Sequence, residues 1–295
     1  MFSGLPFGGS YTITPSKAAL TPGGPIINTV DIVATQRHFL QIVLLSGCRL
    51  TAADVNNDGH VNTVDIVAMQ RFFLAQTTGI ANVGKYQFMP ANRTYAGIIT
   101  DQTGQDYDAL IFGDVASPFG NAPDGPAQGL SNDDASPANL LAPVGTVALP
   151  NITINNSVTD FSAAVTTSII DAKNNLVGFQ GDVTFDSTVL TFQDPPVQPA
   201  GLTSTAWNVS GNILPGSGPI RTLRISAFSL DFAPLSGMGA LFELRVRRVR
   251  DGAQITQLLW ASPPDNFLFI DSDLLTQKPD FAAPGSVTSR PLPLR

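Results

Sequence analysis

The chain has 295 residues, room for two or three domains, and 43% of them are apolar, enough for real cores. Its net charge of −7, with no basic stripe, argues against a nucleic-acid partner, and no run approaches the roughly 18 apolar residues of a membrane span. Cys48 is the single cysteine, so an intrachain disulfide is excluded and the fold must be held by packing and metal. Glu243 is the only glutamate among the 23 acidic residues, a bias towards Asp that suits loops and metal sites rather than solvated helices.

Residues 5–16, LPFGGSYTITPS, alternate like a strand entered through a Gly-Gly turn and ended by proline. The opening segment lacks the basic stretch and long apolar core of a secretory signal. Either the chain is not secreted, or it begins inside a larger secreted protein with residues 1–19 as the tail strand of an upstream β domain; the modules that follow argue for the second.

Residues 27–41, INTVDIVATQRHFLQ, recur as residues 61–75, VNTVDIVAMQRFFLA, identical at eleven of fifteen positions with a constant offset of 34. Ile66, Met69 and Phe73 fall on one face of a helix, with Gln70 and Arg71 pointing elsewhere. Before the second copy, residues 54–65 read DVNNDGHVNTVD. Side-chain oxygens stand at loop positions one, three, five, nine and twelve (Asp54, Asn56, Asp58, Asn62 and Asp65), Gly59 takes the sharp turn at position six, and His60 offers its backbone carbonyl at position seven. A hard cation such as Ca2+ takes six to eight oxygens in roughly this arrangement. The alternative is an Asx-rich polar turn.

A duplicated loop–helix unit with Asp at position twelve resembles a dockerin module over residues 20–80. The resemblance implies two calcium-loop and helix halves. It also implies that recognition of a cohesin uses Thr29, Val30, Gln36 and Arg37 in the first half and Thr63, Val64, Gln70 and Arg71 in the second. The two sets are identical, as a dual-mode binding face requires and as a duplication leaves behind. The first half departs from the pattern: Leu20, Pro22, Gly24 and Pro25 occupy the opening loop positions, so this half is expected to keep its helix and lose its metal. One alternative is that Gly113-Asp114-Val115, which looks like the start of a dockerin loop, supplies the missing opening ligand.

Residues 83–90, VGKYQFMP, repeat the form of residues 5–16. Both resemble closing strands of carboxypeptidase-regulatory-like β-sandwich repeats, and YDALIF adds a further strand within a flanking β region at 81–112. Pro, Gly, Asn and Asp dominate residues 113–146, which read as a linker. Strand-like runs follow at 161–170, 176–186, 220–229, 240–249 and 255–260, separated by turn residues. The blocks LVGFQGDVTFDSTVLTF and LRISAFSLDFAPLSGMGALFELRV resemble two ordered segments of a cohesin. The resemblance implies a jelly-roll β-sandwich over 147–281, related to some carbohydrate-binding modules, followed by a C-terminal tail at 282–295.

The expected fold class is thus multidomain α and β: an EF-hand-like helical module plus a β-sandwich. No HExxH, GxSxG or His cluster occurs. His38 lies on a helix and Glu243 alternates outward on a strand, so the chain is not expected to be an enzyme. The expected role is a calcium-dependent scaffold of an extracellular or cell-surface bacterial protein, its partner a cohesin or dockerin module of the same or another chain. The alternatives are a carbohydrate-binding accessory region using Trp207 or Trp260 to stack on polysaccharide, and a structural stalk.

Overall fold

A computed structural model describes residues 4–116, 144–250, 252, 254–262 and 267–290. The linker expected at 113–146 falls largely on residues 117–143, outside the described residues.

The first part of the chain holds β1 (Tyr11–Ile13), α1 (Thr29–Phe39), α2 (Gly47–Ala53), α3 (Thr63–Phe73), β2 (Tyr86–Met89), β3 (Arg93–Tyr95) and β4 (Asp108–Ile111). The repeat dictates the two long helices. Each starts on an Asn, Asn28 or Asn62, whose side chain accepts from the amide two residues on. Each carries an Asp at the third helical position that accepts from the cap amide in return. This reciprocal capping satisfies amides that a helix start leaves open. The strands pair as two short ribbons, β1 with β3 and β2 with β4.

The second part is all β apart from short 3₁₀ turns. Its strands are β5 (Thr146–Ala148), β6 (Asn151–Asn155), β7 (Asp160–Ile170), β8 (Leu176–Asp186), β9 (Leu190–Pro199), β10 (Trp207–Ile213) and β11 (Ile220–Ser229). They continue as β12 (Gly237–Arg248), β13 (Gln254–Trp260), β14 (Leu268–Asp271), β15 (Thr276–Gln277), β16 (Phe281–Ala283) and β17 (Gly285–Arg290). One sheet runs β10-β11-β8-β13-β17-β6, with β14 and β15 attached beside β8; the other runs β16-β5-β7-β12-β9. Between them lies an aromatic core centred on Phe179, which stacks on Trp207, Phe242 and Phe267.

On β11 the inward residues Leu223, Ile225 and Ala227 join this core, while Arg224, Ser226 and Phe228 face the other way and are buried too. What covers them is the helical unit. Its own core, built around Ile27, Ile32, Val33, Met69 and Phe72, continues into Val177, Phe228 and Ile270 of the sandwich. The two parts therefore share a hydrophobic seam.

Candidate functional site: a helical face closed on the sandwich, and a polar loop beside it

Helix α1 is buried along its whole front, from Thr29 to Gln36. One side is held by α3 and the other lies on β8 and β11. Close approach is possible because Gly178 has no side chain: a Cβ there would stand 3.1 Å from Val33 Cγ2. Several polar groups that α1 carries into this seam are matched, although Gln36 Oε1 is buried without a hydrogen bond among the described residues. The Thr29 amide donates to Gln180 Oε1 at 3.1 Å, and the Thr29 and Ser226 hydroxyls share a hydrogen bond of 3.0 Å. Gln36 Nε2 donates to the Ser229 carbonyl.

Helix α3 touches the same sheet through its C-terminal half. Gln70 Nε2 donates to Asn208 Oδ1 at 3.0 Å, and Asn212 Nδ2 donates to the Leu74 carbonyl at 2.7 Å. Arg224 ties both units together. Its guanidinium grips Asp182 through two bonds of 2.9 and 2.7 Å, donates to the Gly23 carbonyl at 2.6 Å, and lies over the Phe73 ring. A buried ion pair of this kind needs such extra bonds to offset its desolvation.

The two identical sets that the resemblance implies for recognition of a cohesin thus meet different fates. Thr29, Val30 and Gln36 are buried and Arg37 is half-buried; in the second set Gln70 is buried whereas Thr63, Val64 and Arg71 are exposed. Sequence reasoning missed the opposing surface: Gln180, Asp182, Asn208, Asn212, Arg224, Ser226 and Ser229. The available signal was Phe228, a large apolar residue that alternation puts on the face of β11 opposite Leu223, Ile225 and Ala227.

Beside the seam, residues 54–65 fold into a tight loop. Asn57 and Gly59 take positive φ, 59° and 87°, a conformation that favours glycine and is tolerated by Asn. Asp54 accepts from the amides of Asp58 and Gly59, Asp58 from that of His60, and Asp65 from those of Asn56 and Asn62. Asn56 Oδ1 accepts from the Asp58 amide, and Asn62 Oδ1 from that of Val64. The side-chain oxygens are thus turned onto the loop's own amides, and among the described residues no three His, Cys, Asp or Glu side chains converge on a point. The donor set is all oxygen, as a hard cation demands. Burial pushes the Asp65 carboxyl above its ordinary range, backbone hydrogen bonds oppose this, and the like charges of Asp54 and Asp58 add to it. A cation would relieve the crowding.

The remaining candidates are structural. Trp207 is 8% exposed and packed on Phe179, and Trp260 is half-buried with its edge against Phe267. Trp207 is therefore no open platform for a sugar. His38 Nδ1 accepts from the Leu45 amide, and Glu243 accepts from Gln198.

Residues 26–74 match the family model of the dockerin type I domain. No curated protein matches the chain. Among solved structures, the chain is similar to a cohesin of Clostridium acetobutylicum (20% identity, 50% of this chain and 92% of that chain, TM-score 0.37). It is also similar to the seventh ScaB type I cohesin of Pseudobacteroides cellulosolvens (13% identity, 52% and 97%, TM-score 0.39). A third is a chain of a type I cohesin–dockerin complex from Clostridium thermocellum (11% identity, 50% and 99%, TM-score 0.39). Among the described residues no helix is long and apolar enough to cross a membrane.

Proposed function

We infer that this chain is a non-catalytic interaction fragment whose dockerin-like unit has its own sandwich as partner. The observation that carries this reading is the seam itself: Thr29, Gln36 and Gln70, positions a dockerin would use on a cohesin, are bonded to Ser226, Ser229 and Asn208 of the same chain. The pairing is closed within one molecule, so it builds a rigid two-part element rather than a polymer. Calcium in the loop 54–65 fixes the entry of α3 and so the position of Gln70, coupling metal to the shape of the seam. A secreted or cell-surface setting is part of this reading, since extracellular calcium would keep even a weak loop of this type loaded.

The test is a protease site inserted between residues 116 and 144. After cleavage in calcium the two pieces are expected to elute together as one 1:1 species. Ser226→Arg, which drives a charge into the seam, is expected to separate them. Pieces that part without any substitution overturn the reading.

A further inference from the structure

The two halves of the helical unit differ in sequence where their loops begin, yet the structure rebuilds the same arrangement in both. In the second half, Asp65 accepts from the amides of Asn62 (2.9 Å) and Asn56 (3.2 Å). In the first half, Asp31 accepts from the amide of Asn28 at 3.0 Å, and then from Val115 and Ala116 at 2.7 and 3.0 Å. Asn28 and Asp31 are the repeat equivalents of Asn62 and Asp65, so Asp114-Val115-Ala116 stands where Asp54-Val55-Asn56 stands. The core agrees: Val55 and Val115 are each fully buried in the same cluster. Gly113 lets the segment in, since its φ is 97° and a Cβ would lie 2.9 Å from Val83.

Asp114 is the residue this equivalence places opposite Asp54. It is 8% exposed, and its Oδ1 is buried with no hydrogen-bond partner among the described residues. A carboxylate held so, one residue from the amides that grip the fully buried Asp31, is expensive unless a positive charge or a proton joins it.

We propose that Asp114 and Asp31 are the opening and closing ligands of a second, discontinuous divalent-cation site, completed only when residues 113–116 close onto the start of α1. The ion is a hard one, since the side chains offered are carboxylates. Ala116 replaces Asn56, so this site has fewer side-chain oxygens than loop 54–65 and is the weaker of the two. The choice of calcium rests on the reading of loop 54–65 as a calcium loop; the placement of Asp114 does not. The site would clip residue 114 to residue 31 and so close the helical unit on itself.

The experiment counts calcium ions bound to the intact chain by native mass spectrometry and titration calorimetry, for the parent chain, Asp54→Ala and Asp114→Asn. Two ions are expected for the parent chain and one for each variant, with the weaker one retained in Asp54→Ala. A single ion in the parent that Asp114→Asn leaves in place overturns the proposal, as does complete loss of binding in Asp54→Ala. A single ion lost in Asp114→Asn but kept in Asp54→Ala sinks the calcium reading of loop 54–65 and leaves this one standing. If Asp114→Asn does not fold, Asp114→Glu replaces it. Its longer arm should weaken the second site by about tenfold or more, and unchanged affinity overturns the site.

Discussion

The hydroxyls of Thr29 and Ser226 meet at 3.0 Å, and both residues are wholly buried. One opens α1 and the other sits on β11, 197 residues later. Removing either partner leaves the other buried without its bond, at about 1–3 kcal/mol. Thr29→Val and Ser226→Ala should each destabilise the chain by that order. The double variant should be less unstable than the sum of the two, with a coupling of about 1 kcal/mol. Denaturant melts of the four proteins check this, and strictly additive losses would show that the contact contributes nothing.

Gly178 sets how near α1 can lie. A methyl there would meet Val33 Cγ2 at 3.1 Å, the Ala227 carbonyl at 3.3 Å and Ile270 Cβ at 3.5 Å. Gly178→Ala asks for a shift of a few tenths of an ångström, whereas Gly178→Leu does not fit. The first should cost about 1 kcal/mol and the second about 3 kcal/mol, mostly by lifting the helical unit off a sandwich that stays folded. Hydrogen exchange should report faster amides in α1 while β7 and β12 keep their protection. Uniform loss across both parts would contradict a local effect.

Much of this was legible before any coordinates. The strands at 176–186 and 220–229 are read to the residue from alternation bounded by turn signals. The helices follow from an offset repeat whose Asn–Asp pairs cap them. Helix α2, by contrast, is short, and its Ser46 makes no side-chain cap bond. Nothing periodic announces it. The seam was half visible: the identical residue sets on α1 and α3 were readable, but their unequal burial depends on which one the sheet covers. Periodicity treats α1 as having an outer face, and Gln36 and Thr29 on that face look solvated. They are buried because the second layer comes from 150 or more residues away along the chain.

Arg224 and Asp182 form a buried ion pair whose two members lie on neighbouring strands of the covered face. Asp182→Ala leaves a guanidinium buried with only part of its partners and should cost about 3–5 kcal/mol. Arg224→Met with Asp182→Leu replaces charge by packing and should come within about 1 kcal/mol of the parent, less the bond to the Gly23 carbonyl. Chemical denaturation distinguishes these. A double variant as unstable as Asp182→Ala would mean that the charges themselves, rather than their pairing, hold the seam.

Calcium and pH should oppose each other at this molecule's carboxylates. Burial pushes Asp114 up to about 6, and Asp65 is raised as well, first by burial. A carboxyl whose folded value lies above its unfolded one favours the folded state in the protonated form. The contribution of Asp114 is therefore full below about pH 4 and is lost as pH rises through about 6. With chelator present, Asp114 makes the chain more stable at pH 5 than at pH 7, and the upward shift of Asp65 acts in the same direction. Asp160, Asp186 and Asp231 are shifted downward, so their opposite contribution falls away only below about pH 4, outside that window. Added calcium needs the ionised carboxylates and should raise the melting temperature more at pH 7 than at pH 5. Thermal melts at the two pH values, with calcium and with chelator, measure this directly. Equal calcium stabilisation at both would show that neither Asp65 nor Asp114 ionises on binding the metal.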